Sequence, residues 1–532
     1  MQCKLFVLFI FIFAVRDASF EDISDEIDPI NTLVWGPGLK PSQIVMPARY
    51  FYIHGVNSKL QRLNKSPGNV FSVEITGDSE DKTCRAWVNI LDRKDGSFIV
   101  RYKVFSSCDN FQIHIRYKGL KVAGSPYSAI GLVHADECDC PVRNFDSWYD
   151  RYGCGAEEMK HMYSSIISDL KPFKAVNFTD SRRRIRDKFN QPGSVSICNY
   201  VVKSNKVYRK CYGQYVGFKT FVDEILLSLS RKVKLPDIEF YVNLGDWPLI
   251  RKEKLDSKDA IIPMFSWCGS KDTHDIIMPT YDLTEATLEC MGRVTLDMLS
   301  IQGNVELPWE ERIEKGFWRG RDSRMERLNL VAMSRKRPDL LNASLTNFFF
   351  FRDQEEVYGP KEPHVSFFKF FDYKYQVTLD GTVAAYRLPY LLAGGSLVLK
   401  QDSDYYEHFY PHLKPGVHYL PVKSDLSDLI TQIEWAKNHD LEAKRIGEAG
   451  RVFADKNLTP QSILCYHATL YKEWSKRLVS PVKVLKGRDQ VTQKEQVSKL
   501  IKCDCSTKKS IESNRTSRPK DEVDSSRGRD EL

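Results

Sequence analysis

No Cys-x-x-Cys pair occurs anywhere in the 532 residues. The closest cysteines, Cys138-Asp139-Cys140 and Cys503-Asp504-Cys505, have a single residue between them rather than the two usual for zinc. This argues against dithiol redox chemistry and against a cysteine metal site. Long apolar runs are also lacking: beyond Val15 no segment is apolar for the roughly 20 residues that cross a bilayer. Nor is there a nucleic-acid signature in the charge. The net +8 is half accounted for by the segment from Pro481 onward, where 13 Lys or Arg face 9 Asp or Glu. That segment, 481–532, mixes Lys, Ser, Arg and Asp without apolar periodicity and reads as a flexible, solvated basic tail.

What is present at the two ends points to a compartment. Leu5 to Val15 is an apolar run of 11 residues after Lys4, the size of a signal-peptide core, so residues 1–19 read as a cleaved leader. The chain closes on Arg529-Asp530-Glu531-Leu532, a variant of the KDEL address read by a retrieval receptor. Together they imply a protein of the endoplasmic reticulum lumen without a transmembrane anchor. Thirteen cysteines become twelve once Cys3 leaves, and an even number in an oxidising lumen favours disulfides. Five Asn-x-Ser/Thr sequons, at Asn64, Asn177, Asn342, Asn457 and Asn514, fit the same compartment.

Residues 24–134 read as all-β. Short alternating runs (Val45 to Tyr52, Val70 to Thr76, Arg85 to Ile90, Ser97 to Tyr102, Phe111 to Tyr117, Tyr127 to Val133) are separated by Gly, Pro and Asp turns. Strands at this spacing over about 110 residues predict a β-sandwich, and Cys84 and Cys108 could staple it. The unit holds no cluster of His, Asp or Ser suited to catalysis, so it reads as a binding or spacer module.

From residue 135 to about 480 strands alternate with helices, which predicts parallel, doubly wound sheets in two halves, 135–295 and 296–480, facing one cleft. Three places carry chemistry. Asp246 follows the apolar strand Ile238 to Leu244 and is a candidate base. In Trp318-Arg319-Gly320-Arg321-Asp322-Ser323-Arg324-Met325-Glu326-Arg327, Ser323 and Glu326 have the spacing of a capping box. A helix N-terminus crowded with arginines is a seat for a diphosphate. In Asp380-Gly381-Thr382-Val383-Ala384-Ala385-Tyr386-Arg387 a strand meets a glycine turn, and the pattern predicts a helix from Thr382 to Leu392 with Arg387 near its start.

Certain phrases go further. Trp35-Gly36-Pro37-Gly38-Leu39, Asp95-Gly96-Ser97-Phe98 and Ala123-Gly124-Ser125-Pro126-Tyr127 resemble, in order, a filamin-type immunoglobulin-like repeat. Val242 to Pro248, Pro263 to Ser266, His274-Asp275-Ile276, Trp318-Arg319-Gly320, Gly381 to Arg387 and Phe409 to Tyr419 resemble the lumenal protein O-glucosyltransferases in the same way. With the repeat in front and RDEL behind, the chain is similar to the KDEL-motif-containing members of that family. The resemblance implies a GT-B glycosyltransferase with two Rossmann-like halves. Such an enzyme moves glucose, with inversion, from UDP-glucose to a serine of a folded EGF-like domain, and UDP-xylose is a second candidate donor. It implies Asp246 as catalytic base, Arg327 and Arg387 on the diphosphate, Arg321 near the donor, and Val383, Ala384, Ala385 and Tyr386 as a donor-binding backbone segment. No metal and no tightly bound cofactor are implied. It also implies a bridge between Cys138 and Cys465. The chain departs from the short members of the family at Arg321, where they carry serine, and along Pro279 to Gly292, the acceptor-binding stretch. It departs again at Asp372 and Gly394, which replace a disulfide.

Other motifs carry competing readings. Asp402-Ser403-Asp404 has the form of a metal-binding DxD, but arginines on the diphosphate make a metal unnecessary. His408 and His412 are four apart, yet Pro411 between them argues against a helical metal pair. Phe348 to Phe351 reads as core. The rival from another class is a non-catalytic lumenal chaperone or binding protein built on the same fold.

Overall fold

The computed structural model describes residues 26–79, 83–253, 261–288 and 297–493, together with Cys503 and Cys505. The expected leader and the RDEL tail lie outside the described residues.

The first unit is a β-sandwich. One sheet runs Leu33–Trp35, Arg49–His54, Ser97–Val104, Ala86–Asp92; the other pairs Phe71–Asp78 with Asp109–Tyr117, which is flanked by Leu120–Lys121 and Tyr127–Ser128. Alternation does the sorting, because successive side chains point to opposite faces. In Asp109–Tyr117 the residues Phe111, Ile113, Ile115 and Tyr117 are buried while the residues between them are not. Cys84 and Cys108 are bonded, as the sequence allowed.

Arg49–His54 is buried along almost its whole length. Phe51 and Ile53 fill the sandwich, whereas Tyr50 and Tyr52, on the other face, join Ile44, Met46 and Ile99 in the core of the following unit beside Trp148 and Tyr152. Ion pairs reinforce the junction: Arg93 with Asp455 at 3.1 Å, Arg451 with Asp95 at 2.8 Å and Arg101 with Asp297 at 3.3 Å. The repeat is therefore packed onto the α/β unit.

The first α/β lobe holds a six-stranded sheet in the order Ile276–Ile277, Phe265–Ser266, Ile238–Asn243, Ile197–Lys203, Lys206–Tyr212, Asp489–Val491. Only its first three strands are parallel; the rest are antiparallel. The sheet is therefore mixed, parallel on one side and antiparallel on the other. The cause is local: Ser204 and Asn205, with φ of 51° and 63°, form a two-residue turn, and such a turn joins only antiparallel neighbours. Cys198 and Cys211 face each other across this hairpin and are bonded.

The second lobe is wholly parallel, ordered Leu341–Asn347, Ile313–Arg321, Tyr373–Thr378, Leu397–Gln401, Leu420–Val422. Two α/β lobes face one cleft, the GT-B arrangement. The helix Pro460–Ser475 returns to the first lobe, where Trp474 donates its indole N–H to the Glu239 carbonyl at 2.8 Å.

Two expectations change here. Cys465 bonds Cys154, not Cys138, because Cys154 ends the segment after helix Phe145–Arg151 that lies against Pro460–Ser475; there Tyr149 meets Thr469 at 2.9 Å. Cys138 and Cys140 instead bond Cys503 and Cys505. Part of the segment read as a tether is thus folded in: Asp489–Val491 adds a strand and Arg488 bonds the Asn199 side chain at 3.0 Å. Of the twelve cysteines expected to pair, ten form five disulfides among the described residues; Cys268 is a buried free thiol and Cys290 lies outside them.

Candidate active site

Asp246 lies just past the strand Ile238–Asn243, on a turn built by Asn243. The Asn243 side chain accepts from the Gly245 N–H at 2.9 Å and donates to the Trp247 carbonyl at 2.6 Å and to Ser266 Oγ at 3.2 Å. A Cβ on Gly245 would lie 2.7 Å from Val195, so glycine lets the turn close. The next loop is held by buried Asp275, which accepts from Leu249 N–H at 2.9 Å, Ile250 N–H at 2.8 Å and Ser266 Oγ at 2.6 Å. The His274-Asp275-Ile276 phrase is thus the support of the Asp246 loop.

Across the cleft, Arg321 ends the strand Ile313–Arg321. The helix after it is Met325–Lys336, capped by Arg324 with no side-chain bond. The expected capping box does not form; Ser323 sits before the helix and faces the cleft. Arg327, in the first helical turn, is buried over the Trp318 ring at 5.4 Å. It donates to the carbonyls of Asp380 at 2.8 Å, Arg321 at 2.9 Å and Leu379 at 3.2 Å.

The segment after Asp380 also differs from expectation. The helix spans only Leu388–Ala393, and Arg387 is its N-cap. Pro389 explains this: it suits a first turn but would lose a hydrogen bond and clash inside a helix begun at Thr382. Gly381 to Arg387 instead turn along the cleft wall, with the Gly381 N–H bonded to the Val383 carbonyl at 2.8 Å. Arg387 donates to the Arg319 carbonyl at 2.6 Å.

Asp246, Arg321, Arg327, Val383, Ala384, Ala385, Tyr386 and Arg387 all line one cavity of about 490 Å³ between the lobes. Among the described residues, the hydrogen bonds of the Arg327 and Arg387 guanidiniums end on backbone carbonyls, and neither is hydrogen-bonded to a carboxylate. Burial, and for Arg327 the neighbouring Arg387, pull their pKa values down to about 9 and about 10, so a bound anion would relieve both. Burial raises the Asp246 carboxyl above the ordinary range, against the opposing pull of the Tyr281 hydroxyl and Arg321.

Sequence reasoning missed Tyr281 and Asp282, which also line the cavity. Tyr281 is fixed among Phe218, Tyr386 and Trp267, with ring centroids 4.6, 5.4 and 5.7 Å away. Burial and nearby Asp246 push Asp282 up to about 6. Both fall in the stretch where the resemblance is weakest, so the signal available was the strand-to-helix junction itself.

Asp402, Ser403 and Asp404 line a different chamber, of about 660 Å³, with Arg324, and Ser403 Oγ donates to Asp380 Oδ2 at 2.5 Å. Among the described residues no three His, Cys, Asp or Glu side chains are placed to hold a metal ion. His408 is buried against Tyr466 at 4.7 Å while His412 meets Ser165 at 2.9 Å. Phe348 is core as expected, but Phe349 and Phe350 are each 52% exposed.

Residues 155–526 match glycosyl transferase family 90, and residues 26–128 match the filamin/ABP280 repeat. The chain belongs to glycosyl transferase family 90. Protein O-glucosyltransferase 2 of Danio rerio is 50% identical over 480 residues, 90% of this chain and 93% of that protein. Protein O-glucosyltransferase 3 of Homo sapiens is 44% identical over 477 residues, 89% of this chain and 92% of its own. Protein O-glucosyltransferase 1 of Homo sapiens is 28% identical over 372 residues, 68% of this chain and 90% of its own. Membership of this family makes the chain a glycosyltransferase rather than the non-catalytic binding protein weighed against it, with a sugar nucleotide as the class of donor.

Proposed function

We propose that this protein transfers glucose from UDP-glucose to a serine hydroxyl of a folded EGF-like domain, with inversion, in the lumen of the endoplasmic reticulum. One observation carries the reading. A carboxylate on one lobe and two carbonyl-bonded guanidiniums on the other share a single cavity.

Asp246 takes the serine proton as the oxygen attacks the anomeric carbon. The new C–O bond forms on the face opposite the breaking bond to the diphosphate, and UDP leaves. Arg327 and Arg387 receive the charge that builds on the diphosphate in a site partly screened from water. Arg321 stands where it can meet the donor, and the bent Val383–Tyr386 backbone offers the donor a close approach. UDP-xylose fits the same chemistry, since it differs only by the loss of the hydroxymethyl group. Among the described residues no helix is long and apolar enough to cross a membrane; retention through a KDEL-type receptor is part of the proposal.

The test is incubation of purified protein with UDP-glucose or UDP-xylose and a folded EGF-like domain, read by intact mass. A hexose added to serine is expected with UDP-glucose. No sugar transfer with either donor would overturn the reading.

A further inference from the structure

Asp322 follows Arg321, a residue of the cavity wall, yet its own side chain is fully buried. Its carboxylate accepts from the Phe349 N–H at 2.8 and 2.9 Å, from the Phe350 N–H at 2.9 Å and from the Phe351 N–H at 2.6 Å. Three successive N–H groups wrapped on one anion fix a tight turn. The turn sends Phe348 and Phe351 into the lobe core and leaves Phe349 and Phe350 half exposed, their rings edge to face at 5.1 Å. Arg352 lies over the Phe349 ring at 5.4 Å.

This turn opens an excursion that leaves the cavity rim and returns to it. Thr346 at its start and His364 and Val365 after its end line the cavity, and the Glu362 N–H bonds the Leu345 carbonyl at 2.9 Å. Arg335 holds the far side through the carbonyls of Val357, at 2.6 Å, and Gly359. Val357 and Val365 are 58% and 39% exposed. Val365 is thus both cavity wall and open surface, and Phe349 stands only three residues after Thr346 of the cavity wall, on a turn held by the neighbour of Arg321.

Building on the function proposed above, we propose that Phe349 and Phe350 dock the acceptor protein through an apolar patch beside its reactive serine. Burying a carboxylate to hold two rings outward runs against the usual sorting of apolar side chains. It makes sense when a partner covers them, because rigid aromatic side chains anchor interfaces at small ordering cost. A sugar nucleotide, polar and seated deeper among the arginines, does not need them.

The experiment compares wild type with the double variant Phe349→Ala/Phe350→Ala, on a folded EGF-like domain as acceptor and with UDP-glucose binding measured separately. The acceptor KM is expected to rise about tenfold or more, with donor Kd, slow UDP-glucose hydrolysis and melting temperature unchanged. The less severe Phe349→Leu/Phe350→Leu should recover part of the loss. An unchanged acceptor KM overturns the docking role, and so does an equal loss of donor binding, which would make the turn a support of the donor site. If wild type hydrolyses UDP-glucose but transfers nothing to the domain, the choice of acceptor fails and this proposal falls with it.

Discussion

Asp246, Arg327 and Arg387 come from three separate stretches of chain and meet in one cavity. Asp246→Asn should abolish transfer while leaving UDP binding and folding nearly intact, since an amide cannot take the serine proton; a folded variant with normal turnover would remove the base from the mechanism. The pH dependence follows from the raised Asp246 pKa. A base works only when ionised, so kcat/KM should fall as pH drops through that value, at higher pH than for a free carboxylate. Asp282, at about 6 in the same cavity, makes this acid limb a property of the pair. For the arginines, Arg327→Ala or Arg387→Ala should each cost about 1.5–3 kcal/mol of charge-assisted bonding. That is roughly ten- to hundredfold in kcat/KM, with weaker UDP binding by calorimetry. Unchanged kinetics in either variant would make that arginine a purely structural one.

At the scale of elements, the cleft wall rests on close packing behind it. The Phe371 ring, in the turn Phe367–Asp372, lies flush against Gly394, at the end of the helix that follows Arg387. A Cβ there would come 1.9 Å from the ring. Gly394→Ala should destabilise the fold by about 1–3 kcal/mol through overpacking, seen as a lower urea midpoint, and should slow transfer by shifting Arg387. A midpoint equal to wild type would show that the ring moves aside at no cost.

For the molecule as a whole, the repeat and the α/β unit are one body. Ile44, Met46, Tyr50, Tyr52 and Ile99 belong to the catalytic unit's core. Exposing each would cost about 1.5–3 kcal/mol, together comparable with the roughly 5–15 kcal/mol that stabilises a whole domain. A chain lacking residues 24–134 should therefore be insoluble or should melt well below the intact protein. An equally stable truncated form would show the junction to be dispensable. The acceptor should matter as a whole molecule too. A rigid cleft with a preset aromatic rim should favour a folded, disulfide-bonded EGF-like domain over its reduced and alkylated chain, because a floppy acceptor loses ordering entropy on binding. Equal glucosylation of both forms would mean that only a short linear sequence is read.

The sequence by itself determined what rests on neighbours in the chain. Alternation sufficed for the sandwich strands, and the apolar run into Gly245 and Asp246 for the strand end beneath the base. Two local signals prevail over the broader pattern: Pro389, which starts the helix later than its apolar spacing suggests, and Ser204-Asn205, which closes an antiparallel hairpin. What only the tertiary structure decided involves partners far apart in the chain. Cys154 meets Cys465 across 311 residues, and Cys138 meets Cys503 across 365, and no spacing rule selects among such pairs. Tyr50 and Tyr52 leave the sandwich for another core, and Phe349 and Phe350 leave the core for the surface, although both pairs sit in runs that read as ordinary interior. A side chain's apolar character is set locally, whereas the surface that covers it is set by chain arriving from elsewhere.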